Sequence, residues 1–290
     1  MGRQGQLARS LVERAAGRED LELVAVGRPE LELEVPGSVA RAIAHASPNV
    51  VINAAAYTAV DQAEDEPDRA FRINANAAGE IADAAREAGA AVIQISTDYV
   101  FDGHSAEPYG EDAATNPLGV YGRSKLAGEE QVRAANSDHL IVRTAWVYSP
   151  FGRNFVKTMM AAARDRDVLT VVDDQIGNPT SALDLADRLL AIVDSWRDGR
   201  LIGVGETYHL AGAGSTSWCG FAQAIMEHCR ALGLPAAEVR PIRTEDWPTK
   251  AVRPRTSTFD CRKFVRDFRF TMPQWRDSLP AVVERIAGQS

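Results

Sequence analysis

A hydroxyl, a phenol and an amine lie within 29 positions of each other, at Thr97, Tyr121 and Lys125. Thr97 follows an apolar, β-branched run over residues 90–95, which predicts a buried parallel strand. We therefore expect Thr97 at a strand end, where open α/β sheets bind their ligands. Asn-Pro at 116–117 predicts a helix start, and the four-residue spacing puts Tyr121 and Lys125 on one face of that helix. The three groups are thus expected to converge on one carbonyl.

The Tyr-x-x-x-Lys pair is rare by chance in this composition. The chain has six Tyr and, of its 32 basic residues, four Lys. Random placement predicts roughly 0.08 such pairs. Lysine in an Arg-rich chain indicates a requirement for a compact amine rather than a planar guanidinium. The alternative is an exposed Tyr–Lys pair on a helix surface.

Longer sequence motifs contain or surround these residues. They are NAAAYTAVDQAE (53–64), STDYVFDG (96–103), VYGRSKLAGE (120–129), RTAWVY (143–148), DQIGNPT (174–180) and YHLAG (208–212). With the Thr-Tyr-Lys triad, they resemble the extended short-chain dehydrogenase/reductase family over nearly the whole chain. Within that family, they resemble the branch that makes dTDP-L-rhamnose by reducing the C4 keto group of dTDP-4-dehydro-L-rhamnose.

The resemblance implies a hydride from NADPH, with NADH as an alternative donor, and a proton from Tyr121. Thr97 would polarise the carbonyl, and Lys125 would hold the nicotinamide ribose. A free phenol has a pKa near ~10, so it is a weak acid–base group at neutral pH. A nearby Lys125 cation is expected to lower the pKa of Tyr121.

The N-terminal glycines resemble the family's Gly-x-x-Gly-x-x-Gly phosphate loop, with Ala8 in the third glycine's place. Glycines let backbone amides approach a pyrophosphate, and a helix N-terminus attracts it. Arg28 follows a second predicted strand over 21–26, where a cation favours the 2′-phosphate of NADP. A solvated surface Arg is the alternative. The predicted cofactor contacts are Gly2, Gln4, Gly5, Gln6, Leu7, Arg28, Glu32, Leu33, Ala55, Ala56, Tyr57, Tyr121 and Lys125.

Substrate contacts are also predicted. They are Val60, Thr97, Asp98, Tyr121, Trp146, Asn154 and Arg253. Trp146 ends a predicted strand over 139–146 and would stack near the sugar, although a core residue is the alternative. Asn154 would meet the diphosphate at a helix start. Arg253 lies in the basic cluster 250–255, which suits a diphosphate, although a solvated loop is the alternative.

The order of elements predicts an α/β fold, a doubly wound parallel Rossmann sheet with a smaller interleaved α/β substrate lobe. Residues 1–151 and about 181–210 are expected in the cofactor domain, and about 152–180 and 211–290 in the lobe that binds the nucleotide sugar. The family has a buried strand before the first glycine, whereas Met1 alone precedes Gly2 here. Either the sequence is an incomplete version of the natural chain, or the first strand is replaced in another way. If no strand precedes Gly2, we expect impaired cofactor binding and a fragile fold.

Composition limits the remaining alternatives. A net charge of −8 and a pI near 5.3 argue against nucleic acid or an anionic membrane as partner. Three Cys without zinc spacing suggest reduced thiols in a cytoplasmic protein. No metal is predicted, because the acidic residue through which some relatives form metal-linked dimers is aligned with Ala8. We expect a monomer or homodimer. The alternative functions are a reductase or epimerase of another nucleotide sugar and a non-catalytic NADP-binding regulatory subunit.

Overall fold

Helices and strands alternate along this computed structural model, which describes residues 1–288. The helices are α1 (Gln6–Ala15), α2 (Ser38–Ala46), α3 (Val60–Ala63), α4 (Pro67–Phe71), α5 (Ala77–Glu87), α6 (Val120–Ala135), α7 (Phe155–Ala162), α8 (Ala182–Arg197), α9 (Trp218–Ala231), α10 (Arg262–Phe268) and α11 (Trp275–Ala287). The strands are β1 (Val50–Asn53), β2 (Ala91–Thr97), β3 (His139–Thr144), β4 (Val147–Tyr148), β5 (Val168–Val172), β6 (Ile176–Gly177), β7 (Thr180–Ser181), β8 (Glu206–His209), β9 (Thr216–Ser217) and β10 (Glu238–Ile242). Within residues 1–288, no helix combines the length and apolarity needed to cross a membrane.

Four parallel strands form the central sheet in the order β1-β2-β3-β8. The predicted strands over 90–95 and 139–146 are confirmed as β2 and β3, with small differences at their ends. Helices cover both faces, because α2 and α5 pack on one side while α1, α8 and α10 pack on the other. The predicted doubly wound α/β fold is therefore confirmed.

On the side of β1 away from β2, the backbone of Met1 forms hydrogen bonds with β1 and the residue that follows it. The Met1 ammonium donates to Ile52 O, and Ala54 N donates to Met1 O at 3.1 Å. Behind this pair lies a cavity of about 730 Å³, lined by the 20–26 segment, β1 and apolar residues of α1 and α8. The predicted strand over 21–26 is wrong: these residues form no regular strand, and the bond from Gly2 N to Val26 O at 2.9 Å joins their end to the loop. A strand needs a hydrogen-bonded neighbour along its length, and here the cavity occupies that position.

The helical segment over residues 67–87 is continuous but contains one wide turn. Residues 72–76 form a π-helical turn between α4 and α5, and Asn74 is buried in it. Turns of this kind are frequent at functional sites. Asn74 is therefore placed by a backbone irregularity that residue propensity does not predict.

The helix carrying Tyr121 begins later than Asn116-Pro117 predicts, so that prediction is wrong. The side-chain amide of Asn116 donates a hydrogen bond to Asp102 Oδ2 at 3.1 Å. Helix α6 starts at Val120, whose N–H donates to Glu64 Oε1 at 2.7 Å. A carboxylate from a distant segment thus caps the helix in place of the local Asn.

The second lobe packs α7, α9 and α11 around the parallel pair β5–β10 and has its own apolar core. Phe221, Ile225 and Val283 are buried at its centre. Phe264 and Phe268 of α10 instead pack with Leu140 under the central sheet. The division between cofactor domain and substrate lobe remains a prediction, and α10 contributes to the sheet side.

Candidate active site

Thr97 lies at the carboxyl end of β2, opposite Thr144 of β3. Its hydroxyl donates to Asp98 Oδ1 at 3.0 Å and accepts the N–H of Tyr99 at 3.2 Å. It also lies within hydrogen-bonding reach of the Tyr121 phenol. The strand end therefore fixes one hydroxyl and one phenol next to each other, as the sequence predicts.

Tyr121 is in the first turn of α6, and its ring meets the Tyr99 ring edge to face, with centroids 5.5 Å apart. Burial raises the pKa of Tyr121 to about 12, and the bond with Thr97 opposes this increase. The expected decrease of this pKa is therefore wrong, because desolvation of the phenolate dominates. The phenol is protonated at neutral pH, which suits a proton donor.

Lys125 lies one turn after Tyr121 and is buried. Its ammonium donates to Ile95 O of β2 at 2.7 Å. Burial lowers the pKa of Lys125 to about 8, and the charge of Glu129 on the next turn opposes this. Glu129 is held by Arg143, at 2.9 and 2.8 Å, so a buried ion pair lies behind the lysine.

Asp98 is buried between the strand end and the C-terminal lobe. Ser257 donates to Asp98 Oδ2 at 2.6 Å. Burial raises the pKa of Asp98 to about 6, and the bonds from Ser257 and Thr97 oppose the increase. A carboxyl group with this pKa can both donate and accept hydrogen bonds near neutral pH.

Asn74 connects three parts of the site. Its Oδ1 accepts the N–H of Tyr57 at 2.8 Å, and its Nδ2 donates to Tyr57 O at 3.1 Å and to Ser124 Oγ at 2.9 Å. The side chain thus fixes the loop after β1 relative to the helix that carries Tyr121. Tyr57 and Tyr121 also pack against the same small apolar cluster.

The predicted phosphate loop leads directly into α1, with Gly5 at the N-cap. No side chain caps this helix among the described contacts, so its first amides face outward for an anion. Gly2 adopts φ +100°, and a Cβ there would be 3.2 Å from Ala55 N. The loop and the Ala55–Ala56 segment therefore touch, as a shared cofactor site requires. Gln4 is exposed, whereas Leu7 is buried under the sheet.

The predicted adenine-end residues form their own contacts. Arg28 is 64% exposed in its side chain and pairs with Glu32 at 2.9 Å. Leu33 packs partly against the α2–α5 core. Two predicted cofactor residues therefore neutralise each other, and their roles remain predictions.

The predicted substrate residues divide into two groups. Trp146 and Arg253 lie near the triad. Trp146 packs against the cluster containing Val100. Arg253 forms an ion pair with Asp61 at 2.7 Å. Although burial opposes the shift, the pKa of Arg253 is raised by this pairing and by the nearby Tyr99 phenol. Val60 begins α3, the helix that carries Asp61.

Asn154 instead faces the cofactor loop. Its Nδ2 donates to Gln6 Oε1 at 3.0 Å, and its Oδ1 accepts Lys157 N at 3.1 Å as the cap of α7. Gln6 also donates to Val147 O at 3.2 Å, so the phosphate loop is tied to the second lobe. The predicted diphosphate contact of Asn154 is untested and remains a prediction.

Sequence reasoning missed two residues of the site, Tyr99 and Ser257. Tyr99 lies within the STDYVFDG motif and contacts Tyr121, so its position in that motif could have indicated it as a site residue. Ser257 is 159 positions from Asp98 in the chain, and no spacing rule connects them.

A parallel sheet covered by helices on both faces, with Thr97, Tyr121 and Lys125 at its carboxyl edge, defines the class of the extended short-chain dehydrogenase/reductases. The family described as RmlD substrate binding domain matches residues 1–287. The chain belongs to this family, that of the dTDP-4-dehydrorhamnose reductases.

Individual relatives agree with this assignment. The dTDP-4-dehydrorhamnose reductase of Sinorhizobium fredii is 41% identical over 282 residues, which is 97% of this chain and 95% of that protein. A crystal structure of a dTDP-4-dehydrorhamnose reductase from Clostridium acetobutylicum has a TM-score of 0.89 at 37% identity and covers 99% of this chain and 98% of that one. The Bacillus anthracis enzyme, solved in complex with NADP, has a TM-score of 0.88 at 34% identity, with 100% and 97% covered.

Proposed function

We propose that this protein reduces the C4 keto group of dTDP-4-dehydro-L-rhamnose to dTDP-L-rhamnose. NADPH is the proposed hydride donor, with NADH as a second donor. The observation that carries the proposal is the placement of Thr97, Tyr121 and Lys125 at one strand end in a chain of this family. The proposed partner is the dTDP-sugar, and the protein is a cytoplasmic monomer or homodimer.

The residues around the phosphate loop fit a dinucleotide. The start of α1 has no side-chain cap. Gly2 lies so close to Ala55 that only a small residue is accommodated at position 2. Gly5, Gln6 and Leu7 would hold the pyrophosphate through the helix start, and Ala56 and Tyr57 would border the nicotinamide ribose. When bound, the cofactor supplies the hydride.

Tyr121 would give its phenolic proton to the oxygen of the reduced carbonyl. Thr97 would turn its hydroxyl proton from Asp98 to that oxygen and so favour the developing negative charge. Lys125 would hold the ribose hydroxyls, and its cation would favour the phenolate left after proton transfer. Asp98, Trp146 and Arg253 are the proposed contacts of the sugar and its diphosphate.

A panel of 4-keto nucleotide sugars tests this function. The purified protein is incubated with NADPH or NADH and each sugar, and cofactor oxidation is measured together with the product. We expect oxidation with dTDP-4-dehydro-L-rhamnose and formation of dTDP-L-rhamnose. Turnover confined to another nucleotide sugar would reassign the substrate. Cofactor binding without turnover of any sugar would favour a non-catalytic regulatory subunit.

A further inference from the structure

The backbone of Trp146 is in an unusual conformation. Its φ is +46°, in the left-handed region that bulky non-glycine residues rarely adopt. Such a conformation is energetically unfavourable and persists where the surroundings determine it. It occurs two residues after Thr144, which lies opposite Thr97. The strain is therefore located beside the proposed reaction site.

Two residues of the second lobe hold the Trp146 side chain. The Trp218 indole stacks on it with centroids 3.6 Å apart and an angle of 7° between the planes. Gly177 lies against the same ring, where a Cβ would come within 2.4 Å of Trp146 Cε2. Thr180 N also donates to Trp146 O, at 3.2 Å.

Trp218 is itself held in place. It begins α9, whose cap Ser217 accepts the N–H of Gly220 at 2.9 Å. The Phe155 ring packs against it with centroids 4.6 Å apart. A row of rings from Phe155 through Trp218 to Trp146 therefore runs from the core of the second lobe to the end of β3.

Trp146 is the point where two cores meet. It packs against the apolar core of the second lobe and also against the cluster of Val100 and Phe101 behind the triad. Its side chain is half-buried, so part of the indole remains open. An indole is a suitable surface for the apolar C–H face of a deoxyhexose.

We propose that Trp218 and Gly177 are positioning residues for sugar recognition, which hold the Trp146 indole where it contacts the deoxyhexose. This inference rests on the proposed function and extends it to two residues of the second lobe. Trp218 acts by stacking, and Gly177 acts by leaving room for the ring. Neither residue touches the nucleotide part of the ligand in this proposal.

Calorimetric titrations with dTDP-L-rhamnose and with dTDP test the proposal. For Trp218→Leu and Gly177→Ala we expect the affinity for dTDP-L-rhamnose to fall about tenfold, the size of one aromatic contact. The affinity for dTDP should change less than about twofold, which is within ~0.4 kcal/mol. Trp218→Phe keeps a stacked ring and should recover most of the loss. Trp247→Leu is the matched control, since Trp247 is 57% exposed on a loop of the same lobe.

A circular-dichroism measurement reports on the geometry independently of binding. Stacked indoles couple excitonically, and we expect this signal in the unaltered protein and a reduced signal in Gly177→Ala. An equal loss of affinity for dTDP and dTDP-L-rhamnose, or no loss for either, would overturn the positioning role. Turnover by the unaltered protein decides the proposed function separately, so the two failures are distinguishable.

Discussion

The hydroxyl of Ser257 donates to the Asp98 carboxyl at 2.6 Å, and this bond joins the C-terminal lobe to the end of β2. Asp98 also accepts the hydroxyl of its neighbour Thr97 at 3.0 Å. One carboxyl thus connects the group proposed to polarise the carbonyl with the lobe proposed to bind the sugar. Its protonation is therefore expected to affect both stability and the site.

The Asp98→Asn variant should remove a pH dependence of folding. Burial raises the pKa of Asp98 from 3.8 to about 6. Because this pKa is higher in the folded protein, the stabilising contribution is complete below pH ~4 and is lost as pH rises through about 6. The loss amounts to on the order of 3 kcal/mol by pH 7. Chemical denaturation at pH 4 and pH 7 gives the free energy of unfolding of both proteins. The stability of the variant relative to the unaltered protein should be higher at pH 7 than at pH 4. An equal difference at both pH values would contradict this.

The Tyr121→Phe variant should lose turnover and keep cofactor binding. Removing a positioned proton donor typically costs about 10²–10⁴-fold in rate. Initial rates with dTDP-4-dehydro-L-rhamnose and titration with NADPH measure the two properties. Tyr208→Phe is the control, because the Tyr208 phenol donates to Asp267 away from the triad, at 2.8 Å. Near-normal turnover in Tyr121→Phe would refute its role.

Reductase activity should decline at alkaline pH through loss of the Lys125 charge. Burial lowers the pKa of Lys125 to about 8, so the ammonium becomes neutral as pH rises above that value. Because this is the pKa of the free enzyme, kcat/KM should fall with increasing pH in this range. Lys125→Arg keeps its charge, since a guanidinium has a pKa above ~12. This variant should be slower but lack the alkaline decline; the same decline in both proteins would exclude Lys125 as its source.

Glu32→Gln should increase the preference for NADPH over NADH. Glu32 now pairs with Arg28 at 2.9 Å and competes with a 2′-phosphate for that cation. Removing the carboxylate charge at this exposed site should tighten NADPH binding by about two- to fivefold, the range of a surface ion pair. NADH lacks the 2′-phosphate, so its affinity should not rise. Equal gains for both cofactors, or none, would show that Arg28 does not contact the 2′-phosphate.

Local patterns in the sequence were sufficient for three of the four strands of the central sheet, β1, β2 and β3, and for the spacing of the triad. The apolar runs before Asn53 and Thr97 predict buried strands because parallel strands covered on both faces need continuous apolar side chains. The four-residue spacing of Tyr121 and Lys125 predicts a shared helix face, since helical periodicity is a local property. These predictions depend on neighbouring residues alone.

Tertiary structure decided what depends on distant partners. Glu64 caps α6 in place of Asn116, Ser257 reaches Asp98, and the Tyr121 pKa rises because packing buries the phenol. Residues 21–26 carry a strand-like pattern but form no strand, because a β-strand requires a hydrogen-bonded neighbour along its whole length. Burial and pairing are set by segments far apart in the chain, so no local pattern contains them.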